Sequence, residues 1–371
     1  MTGGRITEGL NPAIPAAPVP IGLLALAGFA CGSGMRLLDP LLPQVAESLG
    51  VSVAGASAVI AGFMLPYGLG QVVLGPLGDR LGKLRVACVA VIFYGIAVLA
   101  CSTAPGLVTL VLMRAASGLF AGAVIPLLIA YLGDTVPYDE RQATIGQFLT
   151  GMVMAQMLAG PVSGVIGEYG GWRASFVVLG ILAILIGTAL AVRLGATLWR
   201  AAKVPGARVP GLTAYLALLS RPAGRWLLIS AFFDGLCLFG GAFPYVGAFV
   251  IQAFGLTAST AGLAAGLLGL ALAPDWEVAA AVQVFLGLMF YMFHGVLQAR
   301  ATEVLPEARG TAVSAFALSL FLGQTVGSLA FGALLALTGY RGGFAAAGAG
   351  VLILAVCCRM GLTDQPRPDP S

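Results

Sequence analysis

Apolar residues in this chain come in long, nearly unbroken runs separated by short polar breaks. Runs of spanning length lie at 20–41, 54–75, 86–103, 107–132, 143–165 and 174–194. After a polar interruption they resume at 226–250, 256–273, 277–297, 310–336 and 343–360. A helix needs roughly 20 apolar residues to cross the hydrocarbon core, and helices satisfy their own backbone groups there. The pattern predicts an all-α membrane protein with about eleven apolar segments.

Composition agrees. Of 371 residues, 59% are hydrophobic and only 9% charged, and the mean hydropathy is +0.98. That is too little charge to cover a soluble domain of this size. Trp172, Trp199, Trp226 and Trp276 fall at or near the ends of runs, where interfacial anchors belong. Between Glu168 and Asp234 there is no acidic residue, while Arg193, Arg200, Lys203, Arg208, Arg221 and Arg225 surround the polar break. The positive-inside rule makes that break cytoplasmic. The expected organisation is a cytoplasmic tail 1–18, a six-helix bundle 19–194, a cytoplasmic linker 195–224, a shortened bundle 225–360 and a cytoplasmic tail 361–371. The first run is long enough to remain as a span and not be removed as a signal peptide. The six cysteines show neither metal-ligand spacing nor a disulfide framework and read as packing residues.

The two halves repeat each other. Pro137-Tyr-Asp-Glu-Arg141 matches Pro306-Glu-Ala-Arg309, and the offset of 168 also relates Phe148 to Phe316, Gly164 to Gly332, Gly171 to Gly339 and Phe176 to Phe344. Such duplication is how secondary transporters are built. Further upstream, Gly50-Val-Ser matches Gly255-Leu-Thr at an offset of 205, so the second half is 37 residues short. One hairpin has collapsed into the single run 256–273. If that run crosses once, every later span flips; if it is re-entrant, Arg300, Arg309 and Arg359 stay cytoplasmic. Positive-inside counting favours the second arrangement.

Charges inside apolar runs cost roughly 2.5–3.5 kcal/mol each on insertion scales and mark functional candidates. Arg36 and Asp39 lie three residues apart on one helical face of the first run, and Arg114 lies in the fourth. Asp234, in the seventh run, sits among Phe232, Phe233 and Gly235, a setting in which a carboxyl can carry a proton. Alternatively it caps a helix break. His294, the lone histidine, could titrate near neutral pH, although a hydrogen-bonded packing role is the plainer reading. The bridge Gly75-Pro-Leu-Gly78-Asp79-Arg80-Leu-Gly82-Lys83-Leu-Arg85 packs charges and glycines between two runs. It reads as a tight loop at the membrane surface, either gating or only fixing orientation.

This bridge, G-x-x-x-D-R-x-G-K-x-R, resembles the loop between the second and third spans of major facilitator superfamily transporters. Leu112-Met-Arg114-Ala-Ala-Ser-Gly118 is similar to that family's fourth-span motif, an arginine followed four residues on by glycine. Gly160-Pro161-Val-Ser-Gly164 resembles the G-P-x-x-G core associated with its antiporters, without a second glycine at Val165. Gly171-Trp-Arg-Ala-Ser-Phe176 looks like its loop into span six. The resemblance implies two pseudo-symmetric bundles, the major facilitator fold, with eleven segments in place of twelve. It also implies that the first and fourth spans line a central cavity, bringing Asp39 within reach of Arg114. Arg114 would then handle protons with a carboxylate, or else lock two helices structurally.

The expected function is proton-coupled transport by alternating access, with export of small amphipathic solutes or drugs from a bacterial cell. The protein would act as a monomer in the inner membrane, driven by the proton gradient, with no cofactor, no metal and no nucleic-acid partner. The missing hairpin keeps open a transport-defective remnant or membrane-embedded binding protein, and uptake by symport is a weaker alternative. No Ser/His/Asp set, metal cluster or nucleotide loop suggests an enzyme.

Overall fold

The computed structural model describes residues 20–195, 198, 212–237, 297, 300, 301, 303–305 and 309–362. The expected tail 1–18, residues 363–371 of the other tail, His294 and the runs 256–273 and 277–296 lie outside the described residues. Everything regular among the described residues is helical, as the unbroken runs require.

The helices are α1 (Ile21–Arg36), α2 (Leu42–Ser48), α3 (Val53–Ala56), α4 (Ala58–Leu81), α5 (Lys83–Cys101), α6 (Leu107–Thr135), α7 (Tyr138–Leu194), α8 (Leu212–Ser220), α9 (Pro222–Asp234) and α10 (Arg309–Leu362). Among the described residues, five helical segments are long and apolar enough to cross a membrane, and α1 is a shorter apolar helix. The first run does not continue as one helix to residue 41. It stops at Arg36 and turns, and Pro40 cannot continue a helix. α3 begins on Ser52, whose Oγ accepts the Gly55 amide at 3.0 Å.

At 57 residues, α7 would be about 85 Å long if straight, nearly three hydrocarbon thicknesses. It folds back at Gly171, whose φ of 73° lies in the left-handed region. α10 does the same at Gly339, with φ 66°. Each therefore supplies two antiparallel spans, matching the expected runs on either side. The linker is also more ordered than expected, because α8 lies within 195–224 and α9 already begins at Pro222.

α1 packs on the first arm of α7, α4 on α6, and α5 on α6 and α7. In the second half, α9 runs beside the first arm of α10. Their contact is close because Gly323 faces the Phe232 carbonyl and Gly327 the Leu236 carbonyl. The halves meet where α4 lies on α10, with the Tyr67 and Phe321 rings 4.5 Å apart. At one end of the first bundle, Trp172 Nε1 donates to Ser48 Oγ at 2.7 Å and Arg173 to the Ala104 carbonyl at 3.1 Å. In the second half, Arg221 donates to the Val304 carbonyl at 2.8 Å. The chain that leaves along α9 is thus back at its starting end by residue 304.

Candidate functional site

Arg114 heads the largest fully buried side chains among the described residues, at 1% exposure. Its Nη2 donates to the Gly34 carbonyl at 2.9 Å, and Nε and Nη1 have no hydrogen-bond partner. The last carbonyls of a helix lack intrahelical donors and carry the negative end of its dipole. Gly34 belongs to the last turn of α1, so the guanidinium caps that helix from eighty residues away. The Phe63 ring lies 4.1 Å from Arg114 Cζ and the Phe176 ring 5.9 Å away, a cation–π arrangement.

The glycine four residues on has a physical reason. A Cβ on Gly118 would strike the Phe63 carbonyl oxygen. Without that methyl, α4 approaches α6 closely enough for the Phe63 ring to cover Arg114. On the opposite side, Tyr94 Oη donates to the Ala30 carbonyl at 2.9 Å. The end of α1 is therefore held by α5 and α6 together.

Arg36 and Asp39 form an ion pair at 3.2 Å despite the turn between them, and Arg36 Nε also donates to Gln156 Oε1 at 2.9 Å. Asp39 is buried and lies within electrostatic range of Arg114. Its direct cationic partner is nevertheless Arg36. Arg114 is bonded to the α1 backbone and not to the carboxylate.

The bridge is barely a loop. Helical geometry continues through Leu81 and resumes at Lys83, leaving Gly82 to turn the chain at φ 100°. Gly75, Gly78, Asp79 and Arg80 are therefore on the end of α4, and Gly78 lies against Leu127 of α6. Lys83 pairs with Asp134 at 2.5 Å, and Arg85 Nε donates to the Leu198 carbonyl at 2.9 Å. The cations after the turn tie it to the far end of α6 and to the residues after α7.

Asp234 is the last residue of α9 and is fully buried, where the helix loosens into a π turn over 235–237. Such turns often mark functional positions. Gly160, Pro161 and Gly164 lie within the first arm of α7, where Ser163 Oγ donates to the Gly160 carbonyl at 3.0 Å. Arg36, Asp39 and Arg114 thus come together around the end of α1, while Asp234 sits in the other half. Sequence reasoning, looking only for ionisable groups, missed Gln156, Tyr94 and Phe63. An amide or a hydroxyl inside an apolar run is a visible signal for the first two; nothing distinguishes Phe63 from its neighbours.

Long apolar helices, paired fold-backs and charges buried within the bundles define a multi-pass membrane protein. The sequence profile of the Major Facilitator Superfamily matches residues 24–273 and 256–371, and the chain belongs to that family. It is 33% identical over 155 residues to the MFS-type transporter YwfA of Bacillus subtilis, covering 41% of this chain and 37% of YwfA. It is 26% identical to YceJ of the same organism, covering 72% of this chain and 68% of YceJ. It is 28% identical to the probable multidrug resistance protein EmrY of Escherichia coli, covering 38% of this chain and 27% of EmrY. The matched stretches thus span about a third of YwfA and of EmrY. Among solved structures, an inward-facing, unoccupied bacterial homologue of the human lysosomal transporter Spinster superposes with TM-score 0.72 at 16% identity. That match covers 94% of this chain and 98% of the other, and establishes the fold.

Proposed function

We propose that this protein is a proton-coupled secondary transporter that exports small amphipathic solutes by alternating access. One observation carries the reading: a fully buried arginine with two unpartnered nitrogens lies beside a buried ion pair at a helix end. Ionisable groups at membrane depth persist chiefly where they work. Protonation of Asp39 would dissolve its pair with Arg36 and loosen the Arg36–Gln156 link between α1 and α7. Asp234 would load a proton in the second bundle, and the Lys83–Asp134 contact would latch one face when the bundles close. The similarity to a probable multidrug resistance protein supports drug-like solutes as the substrates.

The second reading, a membrane-embedded binding protein without flux, rests on the 37 residues by which the second half falls short of the first. The experiment that separates the two is pH-gradient-driven flux in proteoliposomes. It uses a panel of lipophilic cations and other amphipathic solutes, with wild type, Asp234→Asn and Arg114→Ala. Gradient-dependent flux lost in either variant supports the carrier, and its sign distinguishes export from uptake. No flux for any solute from folded, inserted protein supports the binding protein.

A further inference from the structure

The internal repeat is uneven at one place, and a cavity lies there. The second arm of α7 begins Gly171-Trp-Arg-Ala-Ser-Phe-Val-Val-Leu-Gly-Ile-Leu182, and its counterpart in α10 reads Gly339-Tyr-Arg-Gly-Gly-Phe-Ala-Ala-Ala-Gly-Ala-Gly350. At the offset of 168, Val178 becomes Ala346, Leu179 becomes Ala347 and Leu182 becomes Gly350. These exchanges strip two, three and four carbons from one wall. All three of the smaller residues line a cavity of ≈ 320 Å³ between α9 and the two arms of α10. That volume is at the lower end for drug-sized ligand sites.

Within the two arms of α10, the one lining exchange in the opposite sense does not refill it. Ser163 corresponds to Phe331, but the Phe331 ring seats over Gly343, the counterpart of Ser175, which a Cβ would approach to 3.0 Å. The ring packs on Phe344 at 5.5 Å between centroids. It forms a wall of the cavity, and its bulk is housed elsewhere. The other walls include Trp226 and Phe233, with Ser230 and Cys237 as the polar exceptions. No charged side chain is among the described lining residues. Phe233 and Ile229 are more than two-fifths exposed, so the cavity is open beside α9.

We infer that this cavity is a binding site for a compact, uncharged, lipophilic molecule taken from the bilayer, separate from the buried arginine of the first bundle. A charged ligand would lose its hydration with no counter-ion in the described wall. An aromatic or branched apolar body fills the space against Trp226, Phe233 and Phe331. The inference does not depend on proton coupling or on the direction of transport.

The test restores the first repeat's bulk. Ala346→Val with Ala347→Leu is made in the full chain, leaving Gly350 alone because a Cβ there would come within 2.7 Å of Cys237 Sγ. Ala349→Ile, an outward position on the same arm where the first repeat has Ile181, is the control. Reconstituted proteins are photolabelled with an uncharged aryl diazirine and, separately, with a phospholipid carrying a diazirine on its acyl chain. Saturable aryl labelling of the peptides around 226–237 and 327–350, retained in the control and lost in the filled variant, is the expected result. The filled variant should also melt no lower than wild type. Unsaturable labelling at the same level in all three proteins would overturn the inference, as would saturable labelling by the phospholipid alone. If the filled variant melts lower, competition of aryl labelling by unlabelled aryl compound in wild type decides: competition supports the site, and its absence overturns it.

Discussion

Gly171 and Gly339 stand 168 residues apart and adopt the same left-handed backbone, φ 73° and 66°, at the fold-back of two long helices. A Cβ at either would meet nothing within 4 Å, so the requirement for glycine is purely conformational. With ψ near 180° at both, replacing either by alanine is expected to cost about 1–3 kcal/mol. The two losses should be similar, read as the shift in melting temperature of the purified protein. A large difference between them would mean that the two bends are not equivalent.

Gly118 and Gly133 lie on the same helix and should respond with opposite signs. At Gly118 a methyl meets the Phe63 backbone, which cannot swing aside, so Gly118→Ala should separate α4 from α6 and lower stability markedly. At Gly133 nothing lies within 4 Å, and Gly133→Ala should stabilise by about 0.5–1 kcal/mol through the helix preference of alanine. Melting curves of the two single variants decide this.

Phe63 is expected to act on Arg114 through its ring face. Phe63→Leu keeps most of the apolar volume and should cost about 1–2 kcal/mol, the range for a desolvated cation–π contact together with its lost packing. A double-mutant cycle with Arg114→Met isolates the pair. Additive losses would show that the ring contributes bulk alone.

The Lys83–Asp134 pair is half in water, its side chains 21% and 57% exposed. Exposed pairs contribute about 0.2–1 kcal/mol, so Lys83→Ala should leave the melting temperature nearly unchanged. If the contact is a latch, the same variant should still slow flux several-fold. Unaltered flux would assign the pair to anchoring only.

The family and the helical architecture were legible because lipid imposes few solutions. A long uncharged run is the mark of a membrane-embedded segment, and an offset that holds from Arg141 to Phe176 betrays a duplication. Even the burial of Phe148 with Phe316, and of Phe176 with Phe344, follows from that offset. The bridge was harder: its charges predicted a polar surface, but only backbone geometry shows that Gly82 alone makes the turn. The bond that Arg114 makes is to a main-chain oxygen, and carbonyls carry no sequence signature. Phe63 was invisible for a related reason, since a ring against a guanidinium reads like a ring against lipid.

The cap on α1 makes the length of one helix depend on the position of another. Leu37 donates its amide to Ser33 at 2.9 Å and Asp39 to Arg36 at 3.1 Å, and the Gly34 carbonyl between them is taken by Arg114. The same carbonyl is the one that a further turn of α1 would offer to the amide of Leu38, and Pro40 would stop that turn. Winding changes the register between Arg36 and Asp39 as well. A sideways displacement of α6 would thereby be felt at the end of α1 through a single arginine.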